Sequence, residues 1–280
     1  MKLKHVGDMI MVLTATHGVS DEQVAAALMG MDSHAPRRLS ACAVDVALRG
    51  APQTVALAGL DVNFVPALNR EKKLLIADMD STIIPVECID ELADFAGVKA
   101  EISGITESAM RGDIGFEESL EARVALLAGL GEGALARAYE ERISLNPGAR
   151  EMVKTMNARG AYTALVSGGF TYFTSKVAAD VGFQHNRANV LNMEGGVLDG
   201  TVSKPILGRE SKLEAMDEFC AARGITRADV IAVGDGANDL AMIEAAGLGV
   251  AYKAKAALKA KADVVLDHSD LSALLALQGL

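Results

Sequence analysis

Tryptophan is absent from this sequence, and aromatic residues make up only 4% of it. Half of the residues are hydrophobic, so Ala, Val, Leu, Ile and Met must fill any core. Cysteine is scarce as well. Cys42, Cys88 and Cys220 are an odd number at wide spacing, which suggests neither a disulfide framework nor a zinc site. Reduced, mostly buried thiols are expected. The five histidines (His5, His17, His34, His185, His268) are scattered and make no metal-binding pair. No apolar run approaches the ~20 residues that cross a bilayer. The opening MKLKHVGDMIMVLTATHG lacks the small-residue cleavage pattern of a secretory signal. The cytoplasm is the expected location. Positive charge is in deficit, giving a formal net charge of −10. That argues against a nucleic-acid partner, which needs phosphate-neutralising Lys and Arg, and against an anionic membrane surface. An anionic ligand must therefore be captured locally, by a cation, a few basic side chains or helix N-termini.

The 280 residues suffice for one large domain or two modest ones. Residues 8–16 read as a buried strand. Ser20-Asp21-Glu22 then opens a helix that reaches about Met31. Residues 39–48 read as a second strand, 52–59 as a short helix and 61–67 as a third strand. Together they predict a small α+β unit of βαββαβ type over 1–70, ended by the charged break Asn69-Arg70-Glu71-Lys72-Lys73. An apolar strand, LLIA, opens the remainder, 71–280. Residues 86–146 are helical in pattern, with breaks at Gly97, Gly104, Gly112-Asp113 and Gly129-Gly131 and no strand. After Asn146-Pro147-Gly148 the pattern alternates: helix 149–159, strand 162–167, helix 171–181, a hairpin across Gly195-Gly196, helix 209–223, strand 229–233, helix 237–246, strands 248–251 and 263–266, and helix 270–278. The expected fold is α/β, a Rossmann-like parallel sheet with helices on both faces. Its active site belongs beyond the carboxyl ends of the strands.

Those ends carry chemistry. Asp78-Met79-Asp80-Ser81-Thr82 follows the first strand, Ser167-Gly168-Gly169 the second, and Gly234-Asp235-Gly236-Ala237-Asn238-Asp239 the third. Lys212 lies near the start of helix 209–223. This set suits phosphate-ester hydrolysis. A carboxylate nucleophile, Asp78, divides the displacement into two easier steps. A bare carboxylate repels a phosphate dianion, so a divalent cation is needed, and Mg²⁺ suits an oxygen-only site of Asp78, Asp80 and Asp235. Asp80 is expected to enter that site by its carboxylate, with its backbone carbonyl as a further oxygen. A second carboxyl near the first keeps a proton more readily, so Asp80 can serve as acid and then base. Ser167 and the N–H groups around Gly168 can hold phosphoryl oxygens, and Lys212 can stabilise their charge.

DMDSTII resembles the DxDxT motif of the haloacid-dehalogenase-like phosphatases. VSGGF, Lys212 and GDGANDLAM are similar to their second, third and fourth motifs, in order, across roughly 74–270. More narrowly, the chain resembles the phosphoserine phosphatases. The resemblance implies that Glu87, nine residues after the nucleophile, reads the substrate amino group. It implies that Arg123 reads the carboxylate, that Phe116 covers the site, and that Asn238 makes a polar contact near the substrate. It also implies a mobile helical cap over about 86–146, inserted after the first core strand. The implied reaction converts O-phospho-L-serine to L-serine and phosphate through an aspartyl-phosphate, the last step of serine biosynthesis. Region 1–70 resembles a degenerate ACT-type unit, a candidate surface for a homodimer.

Blander readings compete at each position. An isolated Asp-x-Asp is usually a solvated turn, and Ser-Gly-Gly a helix cap. Lys204 competes with Lys212, but it falls in the hairpin, so Lys212 is preferred. Asp239 is either a helix cap or a partner that steadies the metal-binding carboxylates; the latter is favoured. Cys88 reads as buried packing, and Lys253, Lys255, Lys259 and Lys261 as a solvated face. Among functions, an Asp-phosphorylated receiver module has no DxDxT and no long insert after its first strand. A non-catalytic amino-acid sensor in 1–70 could coexist with catalysis. A phosphatase for another small phosphoester is the main alternative.

Overall fold

The computed structural model describes residues 8–111 and 113–280, with Met110 as backbone only. His5 and the Gly112 break lie outside the described residues. The first part comprises β1 (Met9–Thr14), α1 (Asp21–Ala27), β2 (Arg37–Ser40), β3 (Ala43–Ala47) and β4 (Asp61–Pro66). They form an antiparallel sheet ordered β2-β3-β1-β4. Helix α1 starts as expected. Ser20 Oγ accepts the Gln23 N–H while the Gln23 side chain accepts the Ser20 N–H, a capping box. The sheet is two-faced. Met11, Leu13, Val44 and Val46 pack with Val24 and Ala27 of α1, whereas Val12, Ala43 and Val65 join the main core. Two expectations fail here. Residues 39–48 are a hairpin turning at Ala41-Cys42, and 52–59 form no helix. The second helix of the βαββαβ order is therefore missing.

The remainder begins with β5 (Leu74–Ala77). Helices α2 (Cys88–Ala96), α3 (Lys99–Arg111), α4 (Phe116–Ala125) and α5 (Glu132–Arg142) follow, with no named strand among the described residues of 86–146. Then come α6 (Ala149–Ala158), β6 (Tyr162–Phe170), α7 (Thr171–Val181), β7 (His185–Asn189), β8 (Leu191–Glu194), β9 (Val197–Val202), α8 (Arg209–Arg223), β10 (Val230–Gly234), α9 (Leu240–Ala245), β11 (Leu248–Tyr252), α10 (Ala256–Lys259), β12 (Val264–Leu266) and α11 (Ala273–Gln278). Six strands make a parallel sheet ordered β12-β11-β10-β5-β6-β7. The sequence pattern did not single out β7 as a core strand.

Strand β5 is apolar throughout because both its faces are covered. Leu74 and Ile76 pack with Met216 of α8 and Met242 and Ile243 of α9. Leu75 and Ala77 face the other way, with Met152 and Val153 of α6 and Phe173 and Val177 of α7. Each buried Leu or Ile contributes roughly 1.5–3 kcal/mol. The chain runs outward from β5 through β6 to β7, then returns to place β10 on the other side of β5. That reversal opens a crevice at the carboxyl ends of β5 and β10. The helical insert leans on the β8–β9 hairpin. Gly129 N–H donates to the Leu198 carbonyl at 2.8 Å, Leu198 N–H to Leu130 at 2.9 Å, and Glu132 N–H to Gly196 at 3.0 Å.

An ion cluster around one buried carboxylate ties the antiparallel sheet to the C-terminal helix. Asp45, 4% exposed, accepts from Arg37 at 2.6 Å and from Arg70 at 2.5 Å. Arg70 also donates to the Leu277 and Ala276 carbonyls, both at 2.7 Å, and so caps the end of α11. Burial alone raises the Asp45 pKa, but the hydrogen bonds and charges of Arg37 and Arg70 outweigh it and hold the carboxyl below its ordinary value. A depressed folded-state pKa stabilises above the unfolded value, and that stability is lost as pH falls through the folded value. Asp45→Asn is therefore expected to cost on the order of 3 kcal/mol at neutral pH, mostly by stranding the half-buried Arg70. The gap in melting temperature between mutant and wild type should close as pH drops below the ordinary carboxylate range. A gap that is constant with pH would rule the ion cluster out as its source.

Candidate active site

Four chain segments meet at the crevice. Asp78 follows β5, with 3% of its surface exposed. Its Oδ1 accepts the Met79 N–H at 2.7 Å. Its Oδ2 receives Lys212 Nζ at 2.6 Å and Asn238 Nδ2 at 3.1 Å. Lys212 bonds equally to Asp239 Oδ1 at 2.5 Å. The other Asp239 oxygen accepts the N–H groups of Asp235 and Gly236, both at 3.1 Å. Both oxygens of Asp239 are thus engaged, and this carboxylate shapes the turn after β10 and aims the lysine. Thr82 Oγ1 reaches Asp235 Oδ1 at 3.5 Å.

Asp80 points elsewhere. Its Oδ1 accepts the Cys88 N–H at 3.1 Å, and its Oδ2 accepts Ser167 Oγ at 3.3 Å. Ser167 Oγ in turn accepts the Gly169 N–H at 2.9 Å. At Gly169 there is little room for a side chain, whereas Gly168 leaves ordinary contact distance to a neighbouring ring. A Cβ on Gly169 would lie 2.7 Å from Asp80 Oδ2, and one on Gly168 would lie 3.4 Å from the Phe116 ring.

The electrostatics are those of crowded carboxylates. Burial, then the Asp239 charge, pushes Asp78 well above the usual carboxylate range, against the pull of Lys212. Burial, then Glu87, raises Asp80 to about 7. Burial, with Asp239 and Glu87, raises Asp235 to about 6. Burial lowers the Lys212 pKa, but Asp239 and Asp78 outweigh it and hold the ammonium above its ordinary value. One buried ammonium does not balance this set. Oxygens of Asp78, Asp235 and Asp239 lie within 4.8 Å of one another. A buried, oxygen-only, charge-deficient cluster of this kind fits a hard divalent cation.

The crevice opens into a cavity of about 510 Å³. Asp78, Asp80, Ser167, Gly168, Asp235 and Asn238 line its floor, and Glu87, Phe116 and Arg123 of the helical insert line its wall. Glu87 Oε1 accepts from Ser81 Oγ at 2.7 Å. Arg123 donates Nε to its own helix at the Ser119 carbonyl, 3.1 Å away, leaving the rest of its guanidinium toward the cavity it lines.

The residues assigned to the site from the sequence therefore gather here, with differences in detail. The Asp80 carboxylate, expected among the metal ligands, is instead turned toward Ser167 and the Cys88 N–H and stands outside the Asp78–Asp235–Asp239 cluster. Asn238 bonds to Asp78 itself. Lys204 pairs with Glu121 on the helical insert, far from Lys212's role. Cys88 is buried, as expected, and its N–H also steadies Asp80. Lys255 corrects the reading of a purely solvated face. It is exposed but lines the cavity, and its N–H donates to the Asp235 carbonyl at 2.9 Å. Arg209 lines the cavity too and was missed. Both are ordinary surface cations by sequence, and only the fold brings them to the rim. Ser81 was legible only as a motif letter, although its positive φ of 55° marks a constrained turn.

Residues 75–244 match the family model of the haloacid dehalogenase-like hydrolases. Over 232 residues the chain is 46% identical to a phosphoserine phosphatase of Albidiferax ferrireducens, covering 81% of this chain and 98% of the relative. It is 46% identical over 218 residues to one from Archaeoglobus fulgidus, covering 77% of this chain but only 63% of that longer relative. A crystal structure of a haloacid dehalogenase family hydrolase from Salmonella enterica superposes with a TM-score of 0.85 at 27% identity, over 96% of this chain and 98% of the other. No helix among the described residues is long and apolar enough to cross a membrane. The chain belongs to the haloacid dehalogenase-like hydrolases and, within them, to the phosphoserine phosphatase family.

Proposed function

We propose that this chain is a Mg²⁺-dependent phosphomonoesterase that hydrolyses O-phospho-L-serine through an aspartyl-phosphate on Asp78. The observation that carries this reading is the setting of Asp78. It is desolvated, held by Lys212 and Asn238, and placed beside an acid that is hydrogen-bonded to Ser167. A cation held by Asp78, Asp235 and the Asp80 carbonyl supplies, when bound, the positive charge that lets a phosphate dianion approach a carboxylate.

The protein groups do the rest. Lys212, Ser167 and the Gly168 N–H hold phosphoryl oxygens. An Asp78 oxygen attacks phosphorus, the bond from phosphorus to the serine oxygen breaks, and Asp80 gives its proton to that oxygen. Asp80 then takes a proton from water, whose oxygen attacks phosphorus and frees Asp78. Serine and phosphate leave, and Asp80 is again protonated. A carboxyl raised to about 7 suits both halves of this exchange. Glu87 and Arg123 stand on the insert side of the cavity, where they can read an ammonium and a carboxylate, while Phe116 covers the phosphate loop. On this reading 71–280 is the catalytic unit, with a mobile cap over about 86–146, and 1–70 is a separate unit that can pair copies of the chain. The reaction ends serine biosynthesis in the cytoplasm.

The test is phosphate release from L-phosphoserine, with and without Mg²⁺, beside a panel of other phosphomonoesters. Arg123→Ala should weaken kcat/KM on phosphoserine by about 2 kcal/mol or more, the scale of a lost charge-assisted contact. A phosphate ester without a carboxylate should be nearly unaffected. An equal fall on both would remove Arg123 from substrate reading, and release from another ester alone would replace the substrate. Gly169→Ala should lower kcat about tenfold or more by driving a methyl against Asp80. Its KM should barely change, and an unchanged kcat would show that Asp80 can shift freely.

A further inference from the structure

Strand β6 leaves its ladder with β7 where the Ser167 loop begins. Val166 pairs with Arg187 and Phe170 with Asn189, so Ser167, Gly168 and Gly169 stand against Ala188 alone. Such a bulge leaves backbone groups without ladder partners, and buried ones must find others. The Asn189 side chain, 2% exposed, fills the gap. Its Nδ2 donates to the Gly168 carbonyl at 2.9 Å and the Leu207 carbonyl at 3.3 Å. Its Oδ1 accepts the Leu207 N–H at 2.7 Å.

The consequence follows from peptide geometry. A trans peptide points its C=O and N–H in opposite directions. With the Gly168 carbonyl held by Asn189, the N–H of the same peptide, on Gly169, is turned the other way. There it donates to Ser167 Oγ, which meets Asp80 Oδ2. The other anchored residue, Leu207, precedes Gly208, which lies under the Phe116 ring and leads into α8 and Lys212. One buried amide thus fastens the loop that carries Ser167 to the segment that delivers Lys212.

We propose that Asn189 is a positioning residue for catalysis, locking the Gly168–Gly169 peptide so that Ser167 and Asp80 meet in reactive geometry. The proposal rests on the roles given above to Ser167, Asp80 and Lys212. The site calls for an amide because it needs a donor and an acceptor at once. Aspartate would set a charge against two carbonyls, and alanine would leave all three backbone groups unpaired.

A double-mutant cycle tests it, with melting temperature recorded for each protein. Asn189→Ala should lower kcat on phosphoserine about 10²-fold, the scale of a misplacement of about 1 Å, with KM little changed. The same change made in Ser167→Ala should cost less than about threefold, because the chain of bonds it supports is already cut. Amide hydrogen exchange at Gly169 should also quicken. If Asn189→Ala melts below the assay temperature, Asn189→Ser, which keeps a small polar side chain there, carries the cycle. Additive losses, or full kcat in a folded variant, overturn the proposal alone. A wild-type protein that releases phosphate from no ester overturns the phosphatase reading and this proposal with it.

Discussion

Asp78→Asn is expected to lower turnover by on the order of a thousandfold or more, since the proposed acyl phosphate forms on this carboxylate and an amide is a far weaker nucleophile. The variant keeps the shape of the side chain and most of its contacts. What it loses is one acceptor. Asp78 offers Oδ1 to the Met79 N–H and Oδ2 to Lys212 and Asn238. An amide can satisfy only one of these two sides. The charge balance shifts in the opposite sense. Burial and the Asp239 charge disfavour ionised Asp78, and Lys212 retains Asp239 at 2.5 Å when Asp78 is neutral. In buffer free of divalent cations, the inactive variant should therefore melt no lower than wild type. Active sites often give up stability in this way, and removing a buried like charge recovers it. Phosphate release and a melting curve in chelator check both halves. Turnover within tenfold of wild type would exclude Asp78 as the nucleophile.

The parts of this fold that were legible are those where local pattern and tertiary role agree. LLIA is apolar at every position because β5 is covered on both faces, and the acidic turn after it can only be solvent-facing or functional. Ser20, Asp21 and Glu22 announce α1 because a side-chain cap and an acidic first turn are local devices. The errors fall where tertiary context decides. Residues 39–48 alternate without a Gly or Pro, so nothing in them marks the two-residue turn at Ala41-Cys42. Residues 52–59 contain good helix formers, yet they form no helix. Strand β7, HNRAN, lies at the sheet's edge and is too polar to read as a core strand from periodicity. The same limit governs the site. Motif spacing brings Asp78, Ser167, Lys212 and Asp235 together, but it does not show which way a carboxylate turns. Asp80 faces Ser167 because Cys88 and Ser167 supply its donors from α2 and β6. Asn189 bears on the loop through a bulge that no local pattern records.

Removal of divalent cations is expected to abolish turnover reversibly, with Mg²⁺ restoring it. Oxygens of Asp78, Asp235 and Asp239 lie within 4.8 Å, Asp80 and Glu87 add further negative charge nearby, and Lys212 is the single buried cation among them. A phosphate dianion entering that field meets repulsion that Lys212, already shared by two carboxylates, cannot cancel. A cation that binds only the folded site must also stabilise it. At a hundred times its dissociation constant the gain is about 2.7 kcal/mol, which moves Tm by several degrees at most in a chain of this size. Asp235→Asn should therefore raise the Mg²⁺ concentration for half-maximal activity by about tenfold or more, equivalent to about 1.4 kcal/mol, and should shrink the Mg²⁺-induced rise in Tm. Asp45→Asn lies in the ion cluster on the antiparallel sheet and should leave the half-maximal Mg²⁺ concentration unchanged. Activity and melting titrated against Mg²⁺ in chelator-treated protein read both quantities. Full turnover without any divalent cation, together with a flat melting titration, would mean that these carboxylates are held by protons and Lys212 alone.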